Sequence, residues 1–471
     1  MEVHFFLNKT LYHSKVSFVS FHTHMAELFG TDGIRGVANE YPITPEVALR
    51  IGRAVARVLK AQRKGRHKVV IGKDTRVSGY MLETALTSGL VSEGARVLLT
   101  GPIPTPAVAH LTKSMACDAG IMLTASHNPF ADNGIKIFGP DGYKLNDSFE
   151  EAVEKIILGE DQAPPTNVRL GKAFRIDDAT GRYIEFAKSA IGDKDLRGLK
   201  VVIDCAHGAG YFVGPLIFEE LGAEVIKVGT SPDGYNINEG VGSLHPEKAA
   251  ALVREHGADL GLCLDGDADR VIFIDANGEV VSGDRTLCLS AIALKHMGQL
   301  NNNTLVTTVM ANLGLRDALA SHGISIEQTH VGDRHVLERM RNGDYNFGGE
   351  TSGHLIFSDF ATTGDGIVSA LILLSVIKES GKSLNELSQC MSEYPSELVA
   401  LPVKEKPPLD SVPEIKAAME AAEAALGKDG RILVRYSGTE KKLRVLVEAK
   451  DATAAKTHCD AITAAAANSI G

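Results

Sequence analysis

Apolar positions along the chain repeat one plan. A run of mostly β-branched residues leads into a polar loop, a stretch with helical spacing of Ala and Leu, a Gly or Gly-Ala, and a second apolar run. The plan occurs in "KVVIGKDTR…SGLVSEGARVLLTG", in "KVVIDCAHGAG…EELGAEVIKVG" and in "TLVTTVMANLG…ASHGISIEQTHVG". Each predicts a strand, a helix and a second, parallel strand. The copies lie roughly a hundred residues or more apart, too far for a solenoid, so they predict tandem α/β domains.

Toward the C-terminus the pattern changes. Proline-rich "PVKEKPPLDSVP" precedes an Ala-rich helix over Ala417 to Leu426, the strands "RILVRYSGTE" and "LRVLVEAK", and a last Ala-rich helix. This predicts a smaller α+β domain. Polar, Pro-containing "GEDQAPPTNVRLGK" marks an earlier boundary. The expected division is an N-terminal extension over 1–24, then units over 25–180, 181–285, 286–400 and 401–471. Residues 1–24 read as an upstream extension because Met25 opens the well-patterned "MAELFGTDGIRG".

Composition narrows the class. With 44% hydrophobic and 23% charged residues among 471, the chain is that of a folded globular protein long enough for several cores. A net charge of -10 argues against nucleic acid as the main partner, since phosphate backbones need a basic face. No apolar run approaches the roughly 20 residues that span a bilayer. The six cysteines are scattered and several sit in apolar runs, as reduced core residues of a cytoplasmic protein do.

Five short stretches carry candidate chemistry. "DGDADR" places Asp265, Asp267 and Asp269 at alternate positions after a strand-like run, with Arg270 behind them. Three crowded carboxylates favour a hard divalent cation, whereas alone they could also form a solvated acidic turn. An EF-hand is excluded because Arg270 and Ala276 stand where its Gly and Glu belong. "RYSGTE" sets Ser437, Gly438 and Thr439 beside Arg435, with Arg444 nearby, and reads either as an anion-binding loop or as a hairpin turn. "GGETSGH" offers Glu350, Ser352 and His354 in a glycine-rich loop suited to sugar hydroxyls. "TASHNP" follows an apolar run and puts Ser126 beside His127, where a serine by itself would be a cap or turn residue. Walker, dinucleotide and G-x-S-x-G patterns are all missing.

Taken in order, "FGTDGIRG" (29–36), "TASHNP" with "NGIK" (133–136), "DGDADR", "GGETSGH" and "RYSGTE" resemble the α-D-phosphohexomutase family from Met25 to the C-terminus. The resemblance implies four domains around a central cleft, three similar α/β domains and a smaller C-terminal α+β domain. It implies that Ser126 carries a phosphoryl group, and that Ser126, Asp265, Asp267 and Asp269 hold one Mg²⁺. Lys136, His354 and Arg35 become candidate proton-transfer or electrostatic groups. Arg270, Glu350 and Ser352 become sugar-side contacts, and Arg435, Ser437, Gly438, Thr439 and Arg444 a grip for the distant phosphate. The segments "NINEGVGSLHPE" and "TTGDGI" imply an amino sugar: glucosamine 6-phosphate and glucosamine 1-phosphate exchanged through a sugar 1,6-bisphosphate, toward UDP-N-acetylglucosamine. Thr351, where this branch commonly has glutamine, keeps glucose or mannose phosphate as the alternative. A monomer or homodimer is expected, with Ser126 primed by a kinase or by autophosphorylation.

Overall fold

The computed structural model describes residues 28–30, 32–159, 169–437 and 441–471. The extension expected over 1–24 lies outside them, as do Gly438 and Thr439. Four sheets follow one another along the chain.

The first sheet has the strand order Ile34–Val37, Asp132–Phe138, Ala119–Leu123, Lys68–Lys73, Arg96–Pro102, Lys172–Arg175. Its last four strands run parallel, and Asp132–Phe138 is antiparallel to both of its neighbours. The central strands are buried end to end, which explains their continuous rather than alternating apolar sequence. The helix Pro45–Gln62 covers one face. Thr44 caps it by accepting the Val47 N–H, Pro45 fits its first turn, and Ile51, Val55 and Leu59 face the core.

The second sheet orders Val280–Val281, Val271–Ile274, Leu260–Leu264, Lys200–Asp204, Glu224–Val228, and the third Ser325–Thr329, Thr304–Thr308, Phe347–Gly349, Leu355–Phe357. The three strand–helix–strand repeats appear as expected, each with its two strands side by side and parallel. What they share beyond this is a hairpin. In each of these three sheets a parallel strand (Ala119–Leu123, Leu260–Leu264, Phe347–Gly349) ends in a short loop, and an antiparallel strand returns beside it. Those loops hold Ser126, the three aspartates and Glu350. They leave from the carboxyl ends of strands, where open α/β sheets place their ligand sites.

The fourth sheet, Ser396–Pro402, Lys442–Ala449, Gly430–Tyr436, is antiparallel and carries the helices Pro413–Leu426 and Ala452–Ile470. Residues 396–400, assigned above to the third unit, are part of this sheet, paired along Lys442–Ala449. Exposure alternates along that edge strand, so it carries no continuous apolar run. One buried apolar cluster continues through the first three units, whereas the fourth has its own. Among the described residues no helix is long and apolar enough to cross a membrane.

Candidate active site

Ser126 sits just past Leu123 with only 1% of its surface exposed and φ at +52°, a left-handed conformation that favours glycine. The surrounding loop holds it there. Ser126 N–H donates to Thr124 Oγ1 at 2.9 Å. The fully buried guanidinium of Arg76 donates to the carbonyls of Ser126 (3.0 Å), Asn128 (2.8 Å), Asp132 (3.0 Å) and Pro129, while Asp74 accepts its Nε at 2.8 Å. Asn238, from the second unit, donates its amide to the Ser126 and Asn128 carbonyls, both at 2.9 Å. The backbone is thus held from both sides while the hydroxyl reaches the second unit. Ser126 Oγ–H donates to Asp265 Oδ2 at 2.5 Å.

Asp265, Asp267 and Asp269 are buried, and one oxygen from each lies within 4.8 Å of the others. Burial, then Asp269 and Asp267, push the Asp265 carboxyl well above the usual range. Burial would raise Asp269 too, but Lys136 and His354 hold it well below. Lys136 Nζ lies 2.9 Å from Asp267 Oδ2 and 3.3 Å from Asp269 Oδ2. Burial works against its charge, yet Asp267, Asp32 and Asp269 raise its pKa well above that of a free lysine. Thr105 pins Asp267 from the first unit, its hydroxyl donating to Oδ2 and its N–H to the Asp267 carbonyl at 3.0 Å.

His354 is buried beside the cluster, with Nδ1 at 3.5 Å from Asp269 Oδ1. The Gly364 N–H points at Nε2 from 3.2 Å, which for the neutral ring puts the proton on Nδ1, toward Asp269. Burial lowers its pKa, but the Asp269 carboxylate and then Asp333 raise it above that of a free histidine. His127 Nδ1 is 3.4 Å from Ser126 Oγ, in the position of a serine-hydrolase base. Burial, Arg270 and Arg35 depress its pKa to about 4, so near neutral pH it is an uncharged and weak base.

Arg270 joins the acidic loop, its N–H donating to Asp265 Oδ1 at 3.2 Å and its Nε 3.7 Å from Asp269 Oδ1. Arg35 pairs with Asp32. Glu350 Oε1 accepts the Gly332 N–H at 3.1 Å. Among the described residues, nine buried side-chain polar atoms lack a hydrogen-bond partner. Five of these are Arg35 Nε, Asp267 Oδ1, Asp269 Oδ1, Arg270 Nε and Ser352 Oγ. Such atoms are costly in a native interior, and their concentration here marks a place built to meet something polar. The two orphaned carboxylate oxygens fit a divalent cation, and the arginines fit an anion.

Ser126, Lys136, Arg35, Asp265, Asp267, Asp269, Arg270 and His354 therefore form one cluster, bordered by Glu350 and Ser352. Arg435 and Arg444 stand apart on the fourth sheet, directly opposite each other across the antiparallel pair, with Ser437 at the strand end. Burial and the neighbouring Arg444 lower the Arg435 pKa. Like charges so placed cost stability, and an anion between them offsets that cost. Arg76, Asn238, Thr105, Asp32, Lys144 and Asp333 were not singled out from the sequence. Apart from Asp32 in "FGTDGIRG" and Asn238 in "NINEGVGSLHPE", no motif marked them.

The chain matches family models of phosphoglucomutase/phosphomannomutase in chain order: alpha/beta/alpha domain I over residues 26–164, domain II over 181–278, domain III over 282–394 and the C-terminal domain over 398–465. A phosphoglucosamine mutase of Syntrophotalea carbinolica is 53% identical over 428 residues, covering 90% of this chain and 94% of that protein. One of Sorangium cellulosum is 54% identical over 431 residues, 91% of this chain and 90% of that protein. The crystal structure of a phosphoglucomutase/phosphomannomutase family protein from Burkholderia thailandensis superposes with a TM-score of 0.77 at 25% identity, covering 93% of this chain and 97% of that one. An N-acetylphosphoglucosamine mutase of Aspergillus fumigatus, solved with GlcNAc-6P and magnesium, shares the fold at a TM-score of 0.65 and 17% identity over 94% of this chain and 95% of that one. With four ordered domain matches and identities above one half over nine tenths of its length, the chain belongs to the phosphoglucomutase/phosphomannomutase, or α-D-phosphohexomutase, family of isomerases, on the branch of the bacterial phosphoglucosamine mutases.

Proposed function

We propose that the chain interconverts glucosamine 6-phosphate and glucosamine 1-phosphate, with Ser126 as phosphoryl carrier and a sugar 1,6-bisphosphate as intermediate and primer. The observation that carries this reading is the Ser126 hydroxyl, buried at a strand end and hydrogen-bonded to Asp265, in a chain more than half identical to phosphoglucosamine mutases.

Asp265, Asp267, Asp269 and Ser126 would hold one Mg²⁺, which when bound neutralises charge on the phosphoryl group in transfer. The rest is done by the chain. In the forward half-reaction the bond from phosphorus to Ser126 Oγ breaks as phosphorus bonds to the free sugar hydroxyl oxygen, and that hydroxyl gives up its proton. His354 is the group for proton exchange, because imidazole titrates near neutral pH and this ring lies against the carboxylate cluster. Lys136, kept charged by three carboxylates, and Arg35 stabilise negative charge. Glu350 and Ser352 contact sugar hydroxyls, and Arg270 braces the acidic loop. Either end of the sugar must face Ser126 in turn, so the other phosphate needs a grip that does not depend on sugar orientation. Arg435, Ser437, Gly438, Thr439 and Arg444 supply it, and the opposed arginines favour an anion. A cytoplasmic enzyme, monomeric or homodimeric, acting on a small phosphosugar and primed by bisphosphate or by a kinase completes the reading.

The test pairs intact mass with turnover. Wild-type protein incubated with bisphosphate should gain one phosphoryl group, whereas Ser126→Ala should gain none and lose at least about 10³-fold in kcat. Mg²⁺-dependent conversion of glucosamine 1-phosphate should exceed that of glucose and mannose phosphates in kcat/KM. A Ser126→Ala variant that turns over near the wild-type rate would overturn the carrier role. A higher kcat/KM for glucose or mannose phosphate would overturn the amino-sugar assignment, in the direction Thr351 allows.

A further inference from the structure

Beside the catalytic cluster, six ionisable side chains close into a ring in which three carboxylates alternate with Lys136, His354 and Lys144. Lys136 lies 3.3 Å from Asp269, and Asp269 lies 3.5 Å from His354. His354 lies 3.7 Å from Asp333, and Asp333 lies 2.5 Å from Lys144. Lys144 pairs with Asp32, and Asp32 lies 3.3 Å from Lys136. The ring crosses three sheets: Asp32, Lys136 and Lys144 come from the first unit, Asp269 from the second, and Asp333 and His354 from the third.

Lys144 is where the first and third units meet. A bridge from Phe138 to Lys144 and the turn between them fix its backbone. Its side chain is only 11% exposed, and burial is outweighed by Asp333 and Asp32, so its pKa rises and it stays charged. Asp333 opens the helix Asp333–Gly343 directly after Gly332, whose N–H is the one held by Glu350. Next to it, Arg334 donates to the Leu145 carbonyl at 2.6 Å and lies 3.2 Å from Glu150, clasping the same segment of the first unit. Lys144 makes no contact with Ser126 or the three aspartates in this network.

We infer that Lys144 is a positioning residue, a charged strut that fixes Asp333, and through it His354 and the Gly332–Glu350 contact, against the first unit that carries Ser126 and Lys136. The inference rests on the proposed mutase reaction for its kinetic consequence, though not for its structural one. A group misplaced by about 1 Å costs far more in the chemical step than in ground-state binding, so the strut acts on kcat. The phosphate grip on the fourth sheet does not pass through it, so KM changes less than kcat.

The experiment compares Lys144→Met, Lys144→Arg, Asp333→Asn and the Lys144→Met/Asp333→Asn double variant with wild type, each checked for an unchanged melting temperature. Lys144→Met should lower kcat by about 10- to 100-fold with KM within about 3-fold, and Lys144→Arg should recover a substantial part. The double variant should lose less than the product of the two single losses, because each single change strands a buried charge that the double change removes. Amide exchange in Lys144→Met should speed up over 331–336 and 139–147 at unchanged melting temperature. Should Lys144→Met fail to fold, Asp333→Asn and Lys144→Arg carry the same comparison. Single variants within about 2-fold of wild type in kcat, or multiplicative losses in the double variant, would overturn the inference. If the wild type itself shows no mutase turnover, the proposed function falls, and the exchange measurement decides the strut independently: no change over 331–336 would sink it.

Discussion

Replacing Asn238 tests how the Ser126 loop is held. Its amide makes two hydrogen bonds of 2.9 Å across the boundary between the first and second units, to the Ser126 and Asn128 carbonyls. Both carbonyls also accept from Arg76, at 3.0 and 2.8 Å, so truncation strands neither. The loss is therefore the net worth of two hydrogen bonds, about 2 kcal/mol, and not a desolvation penalty. Asn238 also has φ at +60°, where alanine adds a further cost of about 1 kcal/mol and glycine adds none. Asn238→Gly thus isolates the hydrogen bonds, and Asn238→Ala adds the strain. If the hydrogen-bond contribution is felt fully in the transition state, about 2 kcal/mol corresponds to roughly 30-fold in kcat. The assay is steady-state conversion of glucosamine 1-phosphate at saturating Mg²⁺ and bisphosphate, with melting temperatures for each variant. Asn238→Gly within about 2-fold of wild-type kcat, or a loss confined to KM, would refute the claim that this amide positions Ser126 for transfer.

Two further outcomes follow from the same neighbourhood and from the third unit. In Gly266→Ala the new Cβ would lie 2.4 Å from the Ser126 carbonyl oxygen and 2.8 Å from the Asn238 amide nitrogen. Overpacking against backbone should cost about 1–3 kcal/mol in thermal stability and at least about 10-fold in kcat, and an active, stable variant would contradict it. Asp365 caps the helix Gly366–Ser380 and accepts the Tyr183 hydroxyl, but burial outweighs these bonds and raises its pKa to about 6. The native state therefore holds this proton more tightly than the unfolded chain, whose carboxyl titrates near 3.8. Its contribution to stability is present below that value, falls as pH rises to about 6, and is then about 3 kcal/mol lower. Asp365→Asn, which mimics the protonated form, should be more stable than wild type at about pH 7.5 and equal near pH 4, as read from urea midpoints. A difference that does not vary with pH would refute the burial argument.

The sequence was most legible where chemistry is local. The strand–helix–strand repeats follow from apolar runs and helical spacing, and Ser126, Asp265, Asp267 and Asp269 each lie in a short stretch following a buried strand. The hairpins that present these loops were not legible as a shared feature, because the returning strands Asp132–Phe138, Val271–Ile274 and Leu355–Phe357 differ in length and sequence. Nor was the edge strand Ser396–Pro402, whose exposure alternates.

The supporting residues were hidden for another reason. Arg76 stands 50 positions before Ser126 and reads locally as one more polar loop residue. Lys144 and Asp333 are 189 positions apart, and neither has an unusual neighbourhood in the chain. By itself the sequence determined the strand–helix–strand repeats and the candidate reacting groups, since propensity, burial pattern and motif spacing act over a few residues. The tertiary structure alone decided which charges face one another, because desolvation and Coulomb attraction depend on distance in space: it buried Arg76 under the Ser126 loop, set Asn238 across from it, and closed the ring through Lys144.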